Sequence, residues 1–583
     1  MIQDLIREYP AKIVKLCEEE VVRDFLIFVF FLFILSGCLE RGNIEIKEVT
    51  PTRMGIGIEL NGYAKINYVS IAQGSREIYH SNVGAETNRL LSDVKWQEGN
   101  EYLITLKTSR EILREKIIPQ KPLPFVLAQD GLGKPKGGVE IARIDEWSKV
   151  LYEEVDVSPQ GLVAVGSFDR TVRVYSPTGE VLWKHRIPTG VVRTVKFSPQ
   201  SDYLLAGEAS PDGTICCFEV KEGRICWKYQ VVNDTGRSED RYYAHQPKVC
   251  SIMVTEKRVY VSAARSWEDY VEKGGKKIKY WPRKGIVYAF DLRDGRVLWK
   301  FPQKGVMDTT ALRLSLDKKE RYLIFGGWGG SANGNIKQDY PENTLYVLDA
   351  KKGKLIYTFL VEPLKRFGFN TVSIGSSCDI SSNGRYIGFS SSDGRLFLLD
   401  NEESIKRREP VVIYEKVISK PIEVNRVPIY AYGGKVLVDD EGQVILIMGR
   451  TYIAPMGKGM AKSPRVRHPL ENRLYEMDKK GEPVWIWPGE GPIEMLSLSA
   501  DGRYLVVAMS HNYVQRRKGM AGIYCFDRSR KELLWHFPFE GIGIACGIST
   551  DGRYIAGIEG PIDVDPRMEY EREVGKHRIW VIS

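Results

Sequence analysis

A motif that recurs through most of the chain constrains its fold more than any other feature. The copy at residues 286–301 reads IVYAFDLRDGRVLWKF: an apolar strand, a turn with glycine, and a second strand that carries an aromatic residue. Two further strands precede such a copy. In LSLSADGRYLVVAMS (496–510), an Asp-Gly turn joins these two strands to each other. Because two-residue turns with glycine match the twist of neighbouring antiparallel strands, each repeat predicts four antiparallel strands.

Repeats of this kind follow one another about 56 residues apart on average. Their first turns begin at Ser158, Ser198, Thr255, Ser315, Ser381, Asp439, Ser499 and Ser549. Four-stranded units repeated around an axis are the blades of a propeller. The last repeat stops after its third strand, and a closed ring leaves no exposed sheet edge, so a strand within 139–152 is expected to complete it. We therefore predict an all-β chain with an eight-bladed β-propeller over 139–583.

An aromatic residue recurs in the fourth strand of the repeats. A large ring at the same place in successive sheets is expected to pack between neighbouring sheets, where an indole N–H can find a backbone acceptor. These predicted structural aromatics are Trp183, Trp227, Trp299, Tyr357, Tyr414, Trp485 and Trp535.

The repeats resemble the PQQ-like (pyrroloquinoline-quinone) repeat, and YAFDLRDGRVLW at 288–299 is their best copy. The SADGRYL stretch is equally similar to WD-repeat propellers, although the chain has no Trp-Asp dipeptide. The resemblance implies the propeller fold. It leaves the activity open, because such propellers include quinoprotein dehydrogenases as well as non-enzymatic assembly and scaffold proteins.

An extracytoplasmic enzyme is the alternative interpretation, either a PQQ-dependent dehydrogenase or a carbohydrate-active propeller. The resemblance implies that a quinoprotein dehydrogenase adds an acidic calcium site, a catalytic Asp and a disulfide between adjacent cysteines. Cys216 and Cys217 are adjacent, but they lie in the strand TICCFEV, where successive side chains point to opposite faces. Cys217 and Cys226 could instead face each other across a hairpin, as a disulfide or as two buried thiols.

No motif in the sequence predicts catalysis or metal binding. There is no CxxC pair, and the seven histidines are scattered. The glycine-rich segment GGWGGSANGN at 326–335 lacks the Lys-Ser/Thr ending of a phosphate-binding loop and is expected to be a flexible loop. We therefore predict a non-enzymatic protein without catalytic residues, metal ligands or a cofactor.

The N-terminus predicts export and lipid anchoring. Phe25–Leu35 (FLIFVFFLFIL) are eleven apolar residues, fewer than the roughly 20 that cross a bilayer, and this length fits the apolar core of an export signal. LSGC at 35–38 resembles the lipobox of lipoproteins, in which the cysteine is lipidated and becomes the first residue. The resemblance implies a signal at 1–37, lipid attachment at Cys38 and a tether at 38–43 on the outer side of the cell membrane. An uncleaved anchor is the alternative.

Residues 44–117 read as short alternating strands, among them NIEIKEV, GIGIEL and EYLITLKT. Period-2 alternation over this length predicts an immunoglobulin-like or fibronectin-like β-sandwich that serves as a spacer. The Pro- and Gly-rich segment 118–138 is expected to link this sandwich to the propeller.

Five long connections between second and third strands depart most from a plain propeller, at 265–285, 328–343, 450–472, 510–522 and 559–576. They are expected on one face, and propellers carry function on such loops. The first has seven basic and three acidic residues, the third five and one, and the fourth three and none. The last reverses to six acidic against three basic.

Aromatic residues are interleaved with these basic charges, and together they suit an acidic protein surface or an anionic sugar. The candidate partner-binding residues are Trp267, Tyr270, Lys276, Lys277, Tyr280, Trp281, Arg283, Lys284, Arg465, Arg467, Tyr513, Arg516, Arg517 and Lys518. The net charge of +9 also suits nucleic acid, but the export signal disfavours it. We predict a monomeric, membrane-anchored scaffold that binds an envelope protein or an anionic glycan; solvated loops of ordinary charge are the alternative.

Overall fold

The computed structural model describes residues 44–52, 55–92, 100–117, 138–143, 154–167, 170–187, 190–239, 245–332, 334–365, 369, 371–375, 377–424, 427–453, 468–489, 491–510, 521–560, 562–564, 572–574 and 578–582. The predicted signal, Cys38, the tether and most of the linker lie outside them. The chain divides into two compact units, residues 1–123 with 563–572 and residues 124–562 with 573–583. No helix among the described residues is long and apolar enough to cross a membrane.

The N-terminal strands form one antiparallel sheet. They are β1 (Ile46–Thr52), β2 (Gly55–Gln73), β3 (Arg76–Ser92), β4 (Tyr102–Thr108) and β5 (Ile112–Ile117). β2 is long enough to pair with β3 along one edge and with both β1 and β4 along the other, and β4 pairs with β5. Alternate side chains such as Ile66, Ile104 and Leu106 are fully buried in its core. The predicted strands are present. The two separate sheets of a sandwich are not confirmed, because β2 pairs with β1, β3 and β4 and so joins all of these strands in one sheet.

The described strands of the repeats form eight successive antiparallel units, called blades 1 to 8 here. Blades 1 to 4 and the helix after blade 2 comprise β7 (Glu154–Val157), β8 (Val163–Gly166), β9 (Thr171–Tyr175), β10 (Val181–Arg186); β11 (Val191–Phe197), β12 (Tyr203–Ala209), β13 (Thr214–Glu219), β14 (Ile225–Gln230), α1 (Val232–Thr235); β15 (Lys248–Val254), β16 (Arg258–Ser266), β17 (Asp269–Lys273), β18 (Lys276–Tyr280), β19 (Arg283–Asp291), β20 (Val297–Phe301); and β21 (Thr310–Ala311), β22 (Ser315–Leu316), β23 (Tyr322–Trp328), β24 (Thr344–Asp349), β25 (Lys354–Leu360). One residue pair, Ala209 with Lys248, joins blades 2 and 3 into a continuous sheet.

Blades 5 to 8 complete the set and include a strand from before blade 1. They comprise β26 (Cys378–Ile380), β27 (Tyr386–Ser391), β28 (Arg395–Asp400), α2 (Asn401–Arg407), β29 (Val412–Val417); β30 (Ile422–Val424), β31 (Val427–Val438), β32 (Val444–Ile453), β33 (Arg473–Met477), β34 (Pro483–Pro488); β35 (Ile493–Leu498), β36 (Tyr504–Met509), β37 (Gly522–Asp527), β38 (Glu532–Pro538); and β39 (Ile542–Ile548), β40 (Ile555–Gly560), β41 (Ile562–Val564), β42 (Arg572–Val574), β43 (Arg578–Ile582), β6 (Gly138–Arg143). β6 pairs antiparallel with β43, at the place where a closing strand is predicted for the last repeat.

An apolar core lies between each blade and the next, because strand residues alternate between two faces and both faces are covered. In β37, Ile523 and Cys525 lie in the core shared with blade 8, whereas Tyr524 and Phe526 lie in the core shared with blade 6. The core of blades 8 and 1 includes Val163 and Ile558, so the blades close into a ring. Each fully buried Val, Leu or Ile stabilises the folded state by about 2 kcal/mol.

The recurrent tryptophans tie one blade to the next. Nε1 of Trp227 donates to the carbonyl of Leu292 at 2.9 Å, and the equivalent bonds from Trp183 to Val220 and from Trp299 to Ala350 are 2.6 and 3.0 Å. The ring of Trp227 also covers the turn glycine Gly295, where an added Cβ would lie 2.5 Å from it. These bonds and contacts lie between consecutive blades, as the recurrence of the aromatics predicts. Trp535 is also buried between blades 7 and 8, but its Nε1 has no hydrogen-bond partner among the described residues.

Candidate functional site

The connection 265–285 of blade 3 is a regular hairpin. β16 and β19 pair as far as Ser266 and Arg283, and β17 then pairs with β18 as far as Lys273 and Lys276. Gly274 and Gly275 form the turn with φ of 58° and 70°. A two-residue hairpin turn needs this left-handed conformation at both positions, and glycine adopts it without strain. The hairpin β17–β18 therefore carries the predicted binding residues on a defined register rather than on a loop.

Basic and aromatic side chains share the outer surface of this hairpin. Lys276 and Lys277 are exposed, and they form no ion pair among the described residues. Tyr270 and Trp281 expose 53% and 43% of their surface. Exposed rings of this size beside unpaired cations are typical of a surface that binds another molecule.

Other charges of the hairpin neutralise one another. Lys279 lies 2.5 Å from Glu268, which also accepts a hydrogen bond from the Tyr270 hydroxyl at 2.9 Å. These bonds, from Lys279 first, lower the pKa of Glu268. Such an exposed ion pair adds little stability. It leaves Lys276 and Lys277 as the hairpin's outward positive charge.

Cation–aromatic contacts organise the base of the hairpin. The Arg265 guanidinium lies 4.8 Å from the ring centre of Trp267. The Lys279 ammonium lies 5.7 Å from the ring of Trp281. Lys273 donates to the Asn335 side chain at 2.8 Å, so the hairpin also contacts the long connection of blade 4.

The structure places Arg283 differently from the other predicted binding residues. Its guanidinium stacks 4.4 Å from the ring centre of Trp328, and its Nε is buried. Burial lowers its pKa to about 10. Gly329 and Gly330, with φ of 72° and 107°, lie against the side chain. The glycine-rich segment, expected to be a plain flexible loop, thus packs around Arg283, which forms the inner wall of the site instead of its surface.

The remaining predicted binding residues fall outside the described residues. This applies to Arg465, Arg467, Tyr513, Arg516, Arg517 and Lys518, as it does to the lipid-attachment residue Cys38. A basic sector on blades 6 and 7 therefore stays a prediction.

Ionisable residues near the middle of the ring are not indicated by the sequence. Arg313 of blade 4 lies 3.5 Å from the sulfur of Met495 in blade 7, so these blades face each other across the middle of the ring. Lys435 donates to the carbonyl of Leu496 at 2.7 Å, and burial lowers its pKa to about 7. Burial raises the pKa of Asp379 to about 6. No periodicity or motif marks these residues: Asp379 and Lys435 interrupt otherwise ordinary strands, and Arg313 lies between β21 and β22.

The cysteines are placed as the alternation of β13 requires. Cys216 lies in the core between blades 1 and 2, and Cys217 in the core between blades 2 and 3. Both are free thiols, as is Cys226, which is exposed while Cys217 is buried. No group of three or more His, Cys, Asp or Glu side chains that could hold a metal ion occurs among the described residues.

The ring of four-stranded blades defines a β-propeller. A family model described as outer membrane protein assembly factor BamB matches residues 132–265 and 165–317, a span that contains blades 1 to 3. The molecule is therefore a β-propeller, and its blades 1 to 3 match the PQQ-like family model.

Solved propellers resemble the chain at low identity, and no curated protein matches its sequence. BamB from Moraxella catarrhalis is 11% identical with a TM-score of 0.40, covering 76% of this chain and 97% of that one. A europium-containing methanol dehydrogenase is 13% identical with a TM-score of 0.46, covering 72% and 89%. The C-terminal WD40 domain of Sif2 is 11% identical with a TM-score of 0.45, covering 76% and 98%.

Proposed function

We propose that this protein is an extracytoplasmic binding scaffold whose hairpin β17–β18 docks an acidic protein surface. One observation carries the proposal. The hairpin and its base expose Lys276 and Lys277, which form no ion pair among the described residues, together with the rings of Tyr270 and Trp281. Cations steer an acidic partner towards the face, and aromatic rings supply apolar contact area once it is bound.

The regular structure of the hairpin supports a docking role. Its register is fixed by five residue pairs, from Asp269–Tyr280 to Lys273–Lys276. A surface that is already in its binding conformation loses less conformational entropy on association than a loop does. The register therefore holds these side chains in fixed positions, with Tyr270 and Lys277 on one face of the hairpin and Lys276 on the other.

The proposal includes the anchor and excludes catalysis. The anchor is a lipid at Cys38, which keeps the propeller on the outer side of the cell membrane. The chain is a monomer that needs no cofactor. The separation of Cys216 and Cys217 into different cores supports this part, since a disulfide between adjacent cysteines is a feature of the quinoprotein alternative.

A membrane cross-linking pull-down tests the docking function. The lipidated full chain is compared with Lys276→Glu/Lys277→Glu and with a matched control, Lys351→Glu/Lys352→Glu. The control lysines are also exposed and adjacent, and they lie in the turn between β24 and β25 at the opposite end of the strands. We expect the hairpin variant to lose a protein partner that the wild type and the control retain.

The same experiment separates the alternatives. Equal recovery of partners by both variants, or recovery of none by the wild type, would contradict the proposal. Binding of the wild type to an anionic polysaccharide, lost in the hairpin variant and without a protein partner, would show that the ligand is the glycan. Weakening of the complex between about 50 and 300 mM salt is expected in either case, because exposed charges are screened.

A further inference from the structure

Two cations lie directly opposite each other where β16 and β19 end. Arg265 pairs with Lys284 in the register, so their side chains leave the sheet on the same face. Like charges directly opposite in an antiparallel pair repel each other. The repulsion is largest when no anion lies near them, because partial burial weakens solvent screening.

Both cationic groups converge on the backbone of Gly236, just after α1. A methyl group added to Gly236 would lie 3.9 Å from Nη2 of Arg265 and 4.0 Å from Nζ of Lys284. Gly236 has φ of 78° and no side chain, so the space above it is open to a small group. Donors from two strands thus lie on the same side of Gly236, each about 4 Å from the position of the added methyl group.

The neighbouring charges leave some of these donors unused. Arg265 donates through Nη1 to the carbonyl of Arg237, while its buried Nε has no partner among the described residues. Asp212 is engaged by Arg237 at 3.3 Å. Lys284 makes no hydrogen bond or ion pair among the described residues. Glu239 interacts with Arg265 electrostatically, without a hydrogen bond or ion pair between them among the described residues. Because α1 has a single turn, the partial negative charge at its carbonyl end offsets little of the positive charge of Arg265 and Lys284.

We propose that Arg265 and Lys284 form a binding site for an oxyanion, a phosphate, sulfate or carboxylate group held above Gly236. Guanidinium and ammonium donors suit such groups, and charge-assisted hydrogen bonds are the strong ones. Trp267, stacked on Arg265, forms the apolar side of the site. The proposal rests on the proposed function in one respect, since the docked partner is the natural carrier of the group. The site itself binds the free ion.

Titration calorimetry with inorganic phosphate and with inorganic sulfate tests the site, with chloride used to hold the ionic strength constant. The detergent-solubilised full chain is compared with Lys284→Met, with Lys284→Arg, and with Lys352→Met, a control at an exposed lysine in the turn between β24 and β25. We expect Lys284→Met to bind either ion at least about tenfold more weakly, because one charge-assisted bond is lost. Lys284→Arg and Lys352→Met are expected to stay within about twofold to threefold. Equal affinity of Lys284→Met and the wild type would overturn the proposal, as would the absence of binding by the wild type.

Thermal unfolding supplies a readout that a purely structural lysine would not give. In chloride alone, Lys284→Met is expected to unfold at the same temperature as the wild type or higher, because the repulsion with Arg265 is gone. Added phosphate is expected to raise the unfolding temperature of the wild type but not of Lys284→Met, since a ligand stabilises the state it binds. A lower unfolding temperature of Lys284→Met in chloride would assign Lys284 a structural role and overturn the proposal.

The two proposals fail in distinguishable ways. Lys276→Glu/Lys277→Glu is expected to lose the partner yet keep phosphate binding within about threefold, because neither lysine reaches Gly236. Phosphate binding without any partner in the pull-down would leave the oxyanion site standing and remove the docking function. Dextran sulfate and polyglutamate identify the carrier: competition by one of them with free sulfate shows whether a glycan or a protein brings the anion.

Discussion

At the scale of single residues, recurrence in the sequence decides what could be predicted. Trp183, Trp227 and Trp299 could be identified as inter-blade contacts because each occupies the same place in its repeat. Arg283 could not be assigned to the interior, because its partner Trp328 belongs to another blade and to an insertion without a repeat. Pairing across insertions leaves no trace in a single sequence.

A half-buried histidine gives the propeller a specific response to acid. His536 stacks on Tyr524 with ring centres 4.0 Å apart, and burial lowers its pKa to about 4. The unfolded chain therefore takes up a proton near pH 6.5 while the folded chain does not. The stability contributed by the neutral ring is complete above that pH and is lost as the pH falls towards 4.

His536→Phe is expected to remove this acid sensitivity, since phenylalanine keeps the stacked ring without a titratable group. Between pH 7 and pH 4.5 the variant should lose about 2 kcal/mol less unfolding free energy than the wild type. Urea unfolding followed by tryptophan fluorescence at the two pH values measures the difference. His80→Phe, at an exposed position of the N-terminal sheet, serves as the control and should behave as the wild type. Equal acid losses in all three proteins would contradict the assignment.

At the scale of elements, the strands of the repeats follow from alternation and turn glycines, whereas the additions to the repeats do not. Asp400 caps the start of the short helix α2, and its side chain accepts a hydrogen bond from the Glu403 N–H at 3.0 Å. Arg408, with φ of 60°, caps the end of the helix. Acidic residues in its first turn and basic ones in its last signal a helix. The surrounding strand pattern hides that signal. The N-terminal sheet shows the same limit, because its pairing depends on the length of β2.

The hairpin β17–β18 should be dispensable for folding. Replacing residues 267–282 by Asn-Gly joins Ser266 to Arg283, which already pair, through a tight turn. Since most of the removed side chains are exposed, unfolding free energy should change by less than about 1 kcal/mol. The shortened protein should retain its fold by circular dichroism and lose the partner in the pull-down. A loss of several kcal/mol would show instead that the hairpin supports blade 3.

At the scale of the whole molecule, the number of strands in each repeat predicts the closure of the ring, which the hydrophobic pattern of single strands does not. The last repeat lacks a fourth strand, and β6, which precedes blade 1, pairs with β43. The core of blades 8 and 1 joins the first and last blades. What counting does not predict is the chemistry of the middle of the ring. Lys435, Arg313 and Met495 meet there only because the ring closes.

Ring closure can be measured by truncation. A chain that begins at Gly138 keeps β6, whereas one that begins at Asp145 exposes the edge of β43. We expect the shorter chain to be less stable by on the order of 3 kcal/mol and to aggregate, because an unpaired edge strand recruits other chains. Urea unfolding and light scattering compare the two. Equal stability and equal solubility of the two chains would show that the pairing of β6 with β43 does not stabilise the closed ring.

The pairing of β6 with β43 also sets an order of events during synthesis. The strand that completes blade 8 is made before any blade, and its partner β43 is made after the strands of the other seven blades. A nascent chain therefore carries β6 without its partner until β43 has been made. A chain that stops early never conceals that strand, so incomplete copies stay recognisable to proteases while complete ones do not.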